Sequence, residues 1–233
     1  MKKLLFIFLI LFSMSVFAQH TITVKHTYYT LEFDTVLKSP LISWYIQTTS
    51  HYKVSQDPKT KIDRSTVAAF HQDPLIKAKY QVANDNEYKN FSQRTNVTAC
   101  GNCYDKGHLS PYTAFGFDLT AAKESMYYTN TAPQVSFMNE HQWEQAEQYI
   151  LKTLSPKYDN IYVYTGCLYS TQKMRDVPIP DYYWKVIIYN GKMEAWLEPN
   201  KLTSSTNPDD IKIDVPTLKK TILKYYPNLK LAF

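Results

Sequence analysis

The chain is expected to fold as α+β: a central, mainly antiparallel sheet flanked by helices. Three observations carry this. Aromatic and β-branched residues alternate with polar ones over residues 27–33 and again over 41–47. Residues 183–189 and 192–197 are β-rich and flank Asn190-Gly191, a pair that favours a two-residue hairpin with positive φ at both turn positions. Apolar residues recur at helical spacing from 139 to 154, with Trp143, Ala146, Ile150 and Leu154 on one stripe. Hairpin-paired strands with two or three helices suit an antiparallel sheet covered by helices.

Taken in order, Met1-Lys2-Lys3 opens a basic segment, Leu4 to Phe12 is apolar, and Val16-Phe17-Ala18 precedes Gln19. Residues 1–18 therefore read as a cleaved secretory signal, too short in its apolar run to span a bilayer. Secretion or export to a periplasm follows, with no membrane anchor once the signal is removed. Residues 19–233 are long enough for one domain with a full core. Residues 51–96 are polar and lysine-rich, and read as long connections with short pieces of structure. Residues 126–129 read as a short strand, and 161–165 as a strand that stops at Gly166. A helix over 216–226, capped by Asp214, closes the chain.

The formal charge of +5 falls to +3 when Lys2 and Lys3 leave with the signal, which is too mild to argue for a nucleic-acid partner on its own. Cys100, Cys103 and Cys167 make an odd count, so an exported chain keeps one thiol outside any intramolecular pair. Cys100-Gly101-Asn102-Cys103 has the spacing of a structural disulfide, of half a zinc site and of a redox pair; its loop-like surroundings favour the disulfide.

The chemistry lies in Asp105-Lys106-Gly107-His108-Leu109, followed by Asn130-Thr131-Ala132-Pro133-Gln134 and by Asn139. Three of the chain's five glycines, Gly101, Gly107 and Gly116, crowd around this stretch, where the backbone turns tightly or approaches something closely. His108 has no second histidine at ligand spacing and no paired serine or cysteine nucleophile. An imidazole with a pKa near 6.5 can take a proton from water at neutral pH. Asn139 stands in the first turn of the expected helix, where asparagine is usually a cap. Glu147, eight residues on, lies about 80° round the axis from it, so both can share a broad face. One amide oxygen plus several waters suits a hard cation such as magnesium. A single base beside one weakly held cation fits hydrolysis of a phosphodiester.

These motifs resemble those of the DNA/RNA non-specific endonucleases, secreted and mitochondrial nucleases with a ββα-metal active site. The resemblance runs from about Ser43 to the C-terminus. The family's Asp-Arg-Gly-His-Leu is similar to Asp105 through Leu109, and Ser110-Pro111 continues it. Its Asn-x-x-Pro-Gln and its Asn-Gln-x-x-Trp helix are similar to Asn130 through Gln134 and Asn139 through Trp143. Val177-Pro178, Trp184-Lys185 and Glu198-Pro199-Asn200 match its later sheet, and Arg64 resembles its catalytic arginine. The resemblance implies His108 as general base and Asn139 as the direct ligand of Mg²⁺, with Mn²⁺ as a substitute. It implies that Glu147 holds a metal-bound water or the local network, that Asn130 helps fix the site and that Arg64 binds the phosphate. Lys106 and Asp105 would face the substrate, which would be DNA and RNA.

Three departures stand out. Lys106 replaces the usual arginine and loses the planar fork that grips phosphate at two points. Cys100 and Cys103 sit in an insertion before the motif, and Cys167 follows Thr165-Gly166 where proline is frequent. The principal expectation is an active endonuclease with little sequence preference. The alternatives are a nucleic-acid-binding protein of nuclease fold whose turnover is weak because of Lys106, and an exported thiol protein acting through Cys100 and Cys103.

Overall fold

Six antiparallel strands form one sheet in the order β1-β2-β3-β6-β7-β8. The strands are β1 (Thr21–Lys25), β2 (Tyr29–Asp34), β3 (Ser39–Gln47), β6 (Ile161–Met174), β7 (Val177–Tyr189) and β8 (Lys192–Pro199). A separate two-stranded ladder pairs β4 (Tyr104–His108) with β5 (Thr131–Val135). This computed structural model describes residues 20–88, 103–202 and 205–233. The expected signal segment and Cys100 lie outside the described residues.

Strand β7 shows why the sheet is covered on both faces. Its alternate residues Tyr183 and Ile187 pack in the clusters that contain Trp143, Ala146 and Ile150 of a long helix, 136–154. Trp184 and Val186 point the other way, against Leu218 and Ile222 of the C-terminal helix Val215–Tyr225. A strand buried on both faces loses its polar alternation and reads as a continuous apolar run. All four residues of the long helix's stripe, Trp143, Ala146, Ile150 and Leu154, are buried, and each large side chain sealed in this way contributes about 1.5–3 kcal/mol. Asp214 caps the last helix, accepting from Thr217 N at 2.9 Å, a contact worth about 1 kcal/mol.

Asn190 and Gly191 have φ of 46° and 71°, as the hairpin demands. Other boundaries differ from expectation. Strand β6 does not stop at Gly166 but continues to Met174. Gly166 sits where the Trp184 ring crosses the strand: a Cβ there would lie 2.3 Å from Trp184 Cζ2 and 2.6 Å from the Leu41 carbonyl oxygen. The glycine allows a close approach inside the sheet. Gly166→Ala is therefore expected to destabilise the fold by at least about 1–3 kcal/mol, because neither a central indole nor a ladder carbonyl can give way cheaply. Chemical denaturation checks this, and an unchanged midpoint refutes it.

Residues 126–129 are not a strand. Ser125 N still bonds Ala121 O at the end of the helix Leu119–Glu124, Tyr127 makes one bridge to His71, and Tyr128–Asn130 is a 3₁₀ turn. Pairing begins at Thr131. Within 51–96 the described part carries most of a short helix, Thr49–Gln56, and three 3₁₀ turns, Arg64–Thr66, Ala78–Tyr80 and Asp85–Tyr88.

Candidate active site

Strand β4, strand β5 and the helix 136–154 follow one another in space as a ββα unit, since Val135 passes directly into Ser136. Asp105 pairs with Gln134 and His108 with Thr131. Gly107 is required by that pairing: a Cβ on it would fall 2.1 Å from Gln134 Oε1 and 2.6 Å from Gln134 Cβ. Alternation along β4 then sends Asp105 to one face and Lys106 and His108 to the other.

On the first face, the Asp105 carboxylate meets the start of the helix. It accepts from Ser136 Oγ at 3.1 Å and from Asn139 Nδ2 at 2.9 Å. Asn139 has helical φ and ψ of −59° and −42° and lies inside the helix, so it is not its cap. With the amide nitrogen committed to Asp105, the oxygen Oδ1 is turned away from it and is the end available to a hard cation. Residues 139–143 form a wider, π-type turn. Under-winding brings Asn139 and Glu147 nearer one line than the ~80° of a regular α-helix, and such turns recur at functional sites.

On the second face, the His108 ring lies 5.1 Å from that of Phe70, and its Nε2 is sealed from solvent with no hydrogen-bond partner among the described residues. Burial, with the positive charges of Arg64 and Lys106 beside it, holds the imidazole down to about 4. It is therefore neutral at pH 7, with a free lone pair for a proton. Arg64 belongs to a 3₁₀ turn capped by Asp63, which accepts from Ser65 N at 2.8 Å. Its guanidinium stands 5.5 Å over the Tyr112 ring and donates to Val67 O at 3.2 Å. Arg64, Tyr112 and Gln148 line one cavity of about 380 Å³, which sets the arginine beside the long helix. Lys106 Nζ pairs with Asp85 Oδ1 at 2.6 Å and stands 4.7 Å over Phe70.

Asn130 is fully buried and its amide is spent on the backbone. Its Oδ1 accepts from Ser110 N at 3.0 Å, and its Nδ2 donates to Ser110 O and Ser125 O at 2.8 and 2.9 Å. It fixes the turn that follows His108. Glu147 Oε1 lies 3.6 Å from Lys185 Nζ. Burial pushes the Glu147 carboxyl up, and the Lys185 ammonium pulls it back. Among the described residues no hydrogen bond joins His108 to Asn139 or to Glu147. Asn139 is held by Asp105, and His108 lies three residues further along the same strand, on its other face, about 10 Å of extended backbone away.

The profile of the family described as DNA/RNA non-specific endonuclease matches residues 12–221. The chain belongs to this family. It is 23% identical over 181 residues to mitochondrial endonuclease G of Bos taurus, covering 69% of this chain and 56% of that protein. It is 27% identical over 127 residues to nuclease C1 of Cunninghamella echinulata var. echinulata, covering 46% of this chain and 50% of that one. The chain thus spans just over half the length of the first of these relatives and half that of the second. A crystal structure of the EndoG/EndoGI complex superimposes with a TM-score of 0.66 at 23% identity, covering 86% of this chain and 83% of the solved one. That likeness is one of fold.

Within this endonuclease family frame, two partners escaped the reading of the sequence. Lys185 interrupts the apolar run of β7, and a charge inside a strand buried on both faces was the available signal. Asp85 gave none, because its partner Lys106 lies 21 positions further along the sequence. Among the described residues no group of three or more His, Cys, Asp or Glu side chains converges as a metal site. Cys167 is a free thiol, buried and pushed up to about 12 by that burial. Among the described residues no helix is long and apolar enough to cross a membrane.

Proposed function

We propose that this chain is an exported, metal-dependent endonuclease that hydrolyses phosphodiester bonds of DNA and RNA with little sequence preference. The observation that carries it is the neutral His108 imidazole, its Nε2 sealed and unpartnered, flanked by the cations Arg64 and Lys106. Mg²⁺, or Mn²⁺ in its place, would be held through Asn139 Oδ1 with water in the other positions, and supplies Lewis-acid polarisation and charge neutralisation at the phosphate. The donor set fits: Asp105 orients the amide, and a single neutral ligand leaves room for the waters that magnesium keeps.

The His108 imidazole takes the proton of the attacking water through the ring nitrogen other than the sealed Nε2, as the water oxygen bonds to phosphorus, the bond from phosphorus to the 3′ oxygen opens, and a water of the site protonates the departing oxygen. Arg64 binds a non-bridging phosphate oxygen and answers the charge that builds on it. Asp105 holds Asn139, Asn130 holds the turn after His108, and Glu147 orients a water of the site. Export rests on residues 1–18 as a signal, and a Cys100–Cys103 disulfide is part of the proposal, supported by Cys167 being free. Digestion of supercoiled plasmid and of RNA tests the metal: chelator should stop both, and Mg²⁺ or Mn²⁺ should restore them. Undiminished cutting in chelator overturns the assignment.

A second reading, a nucleic-acid binder with weak turnover, is favoured by one observation: Lys106 is already paired with Asp85. That pair is partly open, the two side chains being 21% and 55% exposed, and half-exposed pairs are worth at most about 1 kcal/mol. Phosphate can displace it. Asp85→Asn is expected to lower the KM for nucleic acid by about two- to fivefold at low salt with kcat unchanged. Lys106→Arg should raise the rate by restoring two-point contact. A wild-type protein that shifts DNA in a gel without cutting it, in the presence of Mg²⁺, supports the binder instead.

A further inference from the structure

Lys185 is the one lysine among the described residues whose side chain is wholly buried. It stands on the central strand β7, opposite Thr165 of β6, on the face that the helix 136–154 covers. Its ammonium donates to Thr165 Oγ1 at 3.1 Å, lies 4.6 Å over the Trp143 ring and is 3.6 Å from Glu147 Oε1. Trp143 and Glu147 are the next two residues after Asn139 along the four-residue spacing of one helix face. A single buried charge thus touches that face at two of its three positions.

Burying an ammonium is expensive, and a well-packed apolar side chain of similar volume is often as stable or more so. Stability alone therefore does not account for a lysine here. What an apolar side chain cannot do is fix where a carboxylate points. Glu147 lies 3.6 Å from Lys185 through one oxygen and keeps 18% of its side chain exposed, so one oxygen is held while part of the group stays open to solvent.

We propose that Lys185 is a positioning residue for hydrolysis: it orients the Glu147 carboxylate and, through Trp143, the helix face that carries Asn139. This rests on the reading of Glu147 as a working group of the site. Lys185 touches no substrate itself, so its effect must pass through Glu147.

A double-mutant cycle on the full chain tests this, with plasmid cleavage in Mg²⁺ as the rate and thermal unfolding as the control. Lys185→Met should lower kcat by about 10- to 100-fold, as losing a partner that orients a group at a metal site does. KM for DNA should change by less than about twofold, since no phosphate contact is lost. In a Glu147→Gln background the same substitution should cost less than about threefold, because the group it serves is already gone. Thr165→Val removes the acceptor of the ammonium without removing the charge. It is the gentler arm should Lys185→Met not fold, and should show a smaller kcat loss that also disappears in the Glu147→Gln background. Equal losses in both backgrounds overturn the role of Lys185 and leave Glu147 untouched. A Glu147→Gln protein as active as wild type overturns the reading of Glu147 and this inference with it.

Discussion

His108→Ala is expected to reduce magnesium-dependent cleavage of plasmid by about 10²–10⁴-fold, the range that a positioned general base contributes. The thermal transition should stay within a few degrees of wild type. The reason lies in what the imidazole does and does not hold. Its Nε2 donates to nothing and accepts from nothing among the described residues, so truncation breaks no hydrogen bond at that atom. The ring's aromatic contact is with Phe70 at 5.1 Å, and truncation removes it. A buried polar atom without a partner costs stability, so removing it gives some back. A large fall in rate with an intact fold is what distinguishes a working group from a structural one. The outcome that refutes the assignment is cleavage by His108→Ala at the wild-type rate. A protein that has unfolded would point to a structural histidine, and circular dichroism separates the two. The same variant should still shift DNA in a gel, because Arg64 and Lys106 remain to meet the phosphate backbone.

How much of this site could be read from the chain differs residue by residue. The motif spacing of Asp105, His108, Asn130 and Asn139 was legible, while the work of Asn130 was not: its amide is spent on the backbone around Ser110 and Ser125. The strand that holds Asp105 and His108 did not announce itself. Asp105-Lys106-Gly107-His108 lacks apolar alternation because neither face of β4 packs as a plain hydrophobic layer: one meets the polar start of a helix, the other Phe70 and the cations. Helical period gave the stripe from Trp143 to Leu154, but not the π-type turns, which depend on tertiary contacts. Gly166 read as a strand end because glycine usually weakens a strand interior. Here an indole lies against it, and only the tertiary structure supplies that reason. The Lys185–Glu147 and Lys106–Asp85 pairs were out of reach on the same ground, since each joins segments that local patterning treats separately.

Arg64→Gln should produce the second large effect, and its direction in pH is as informative as its size. At neutral pH the variant should lose about 10²–10³ in kcat/KM, the usual cost of removing one donor to a developing oxyanion. The acid limb should also move. The protonated imidazole cannot accept a proton, so kcat/KM rises as pH climbs through the pKa of His108 in the free enzyme. That group is held down to about 4, chiefly by burial and then by the charges of Arg64 and Lys106. Wild type should accordingly keep its activity well below pH 6.5, with a midpoint near 4. Removing the Arg64 charge takes away one cause of the depression, so the midpoint should rise. It should still fall short of the ordinary histidine value, because burial remains. Bound phosphate places negative charge beside the ring and favours the imidazolium, so the limb in kcat should lie above the limb in kcat/KM. A midpoint that stays in place in Arg64→Gln would mean that the guanidinium does not reach the imidazole electrostatically. The phosphate and the base would then be handled by separate parts of the surface, and the site as built from β4 would not hold together.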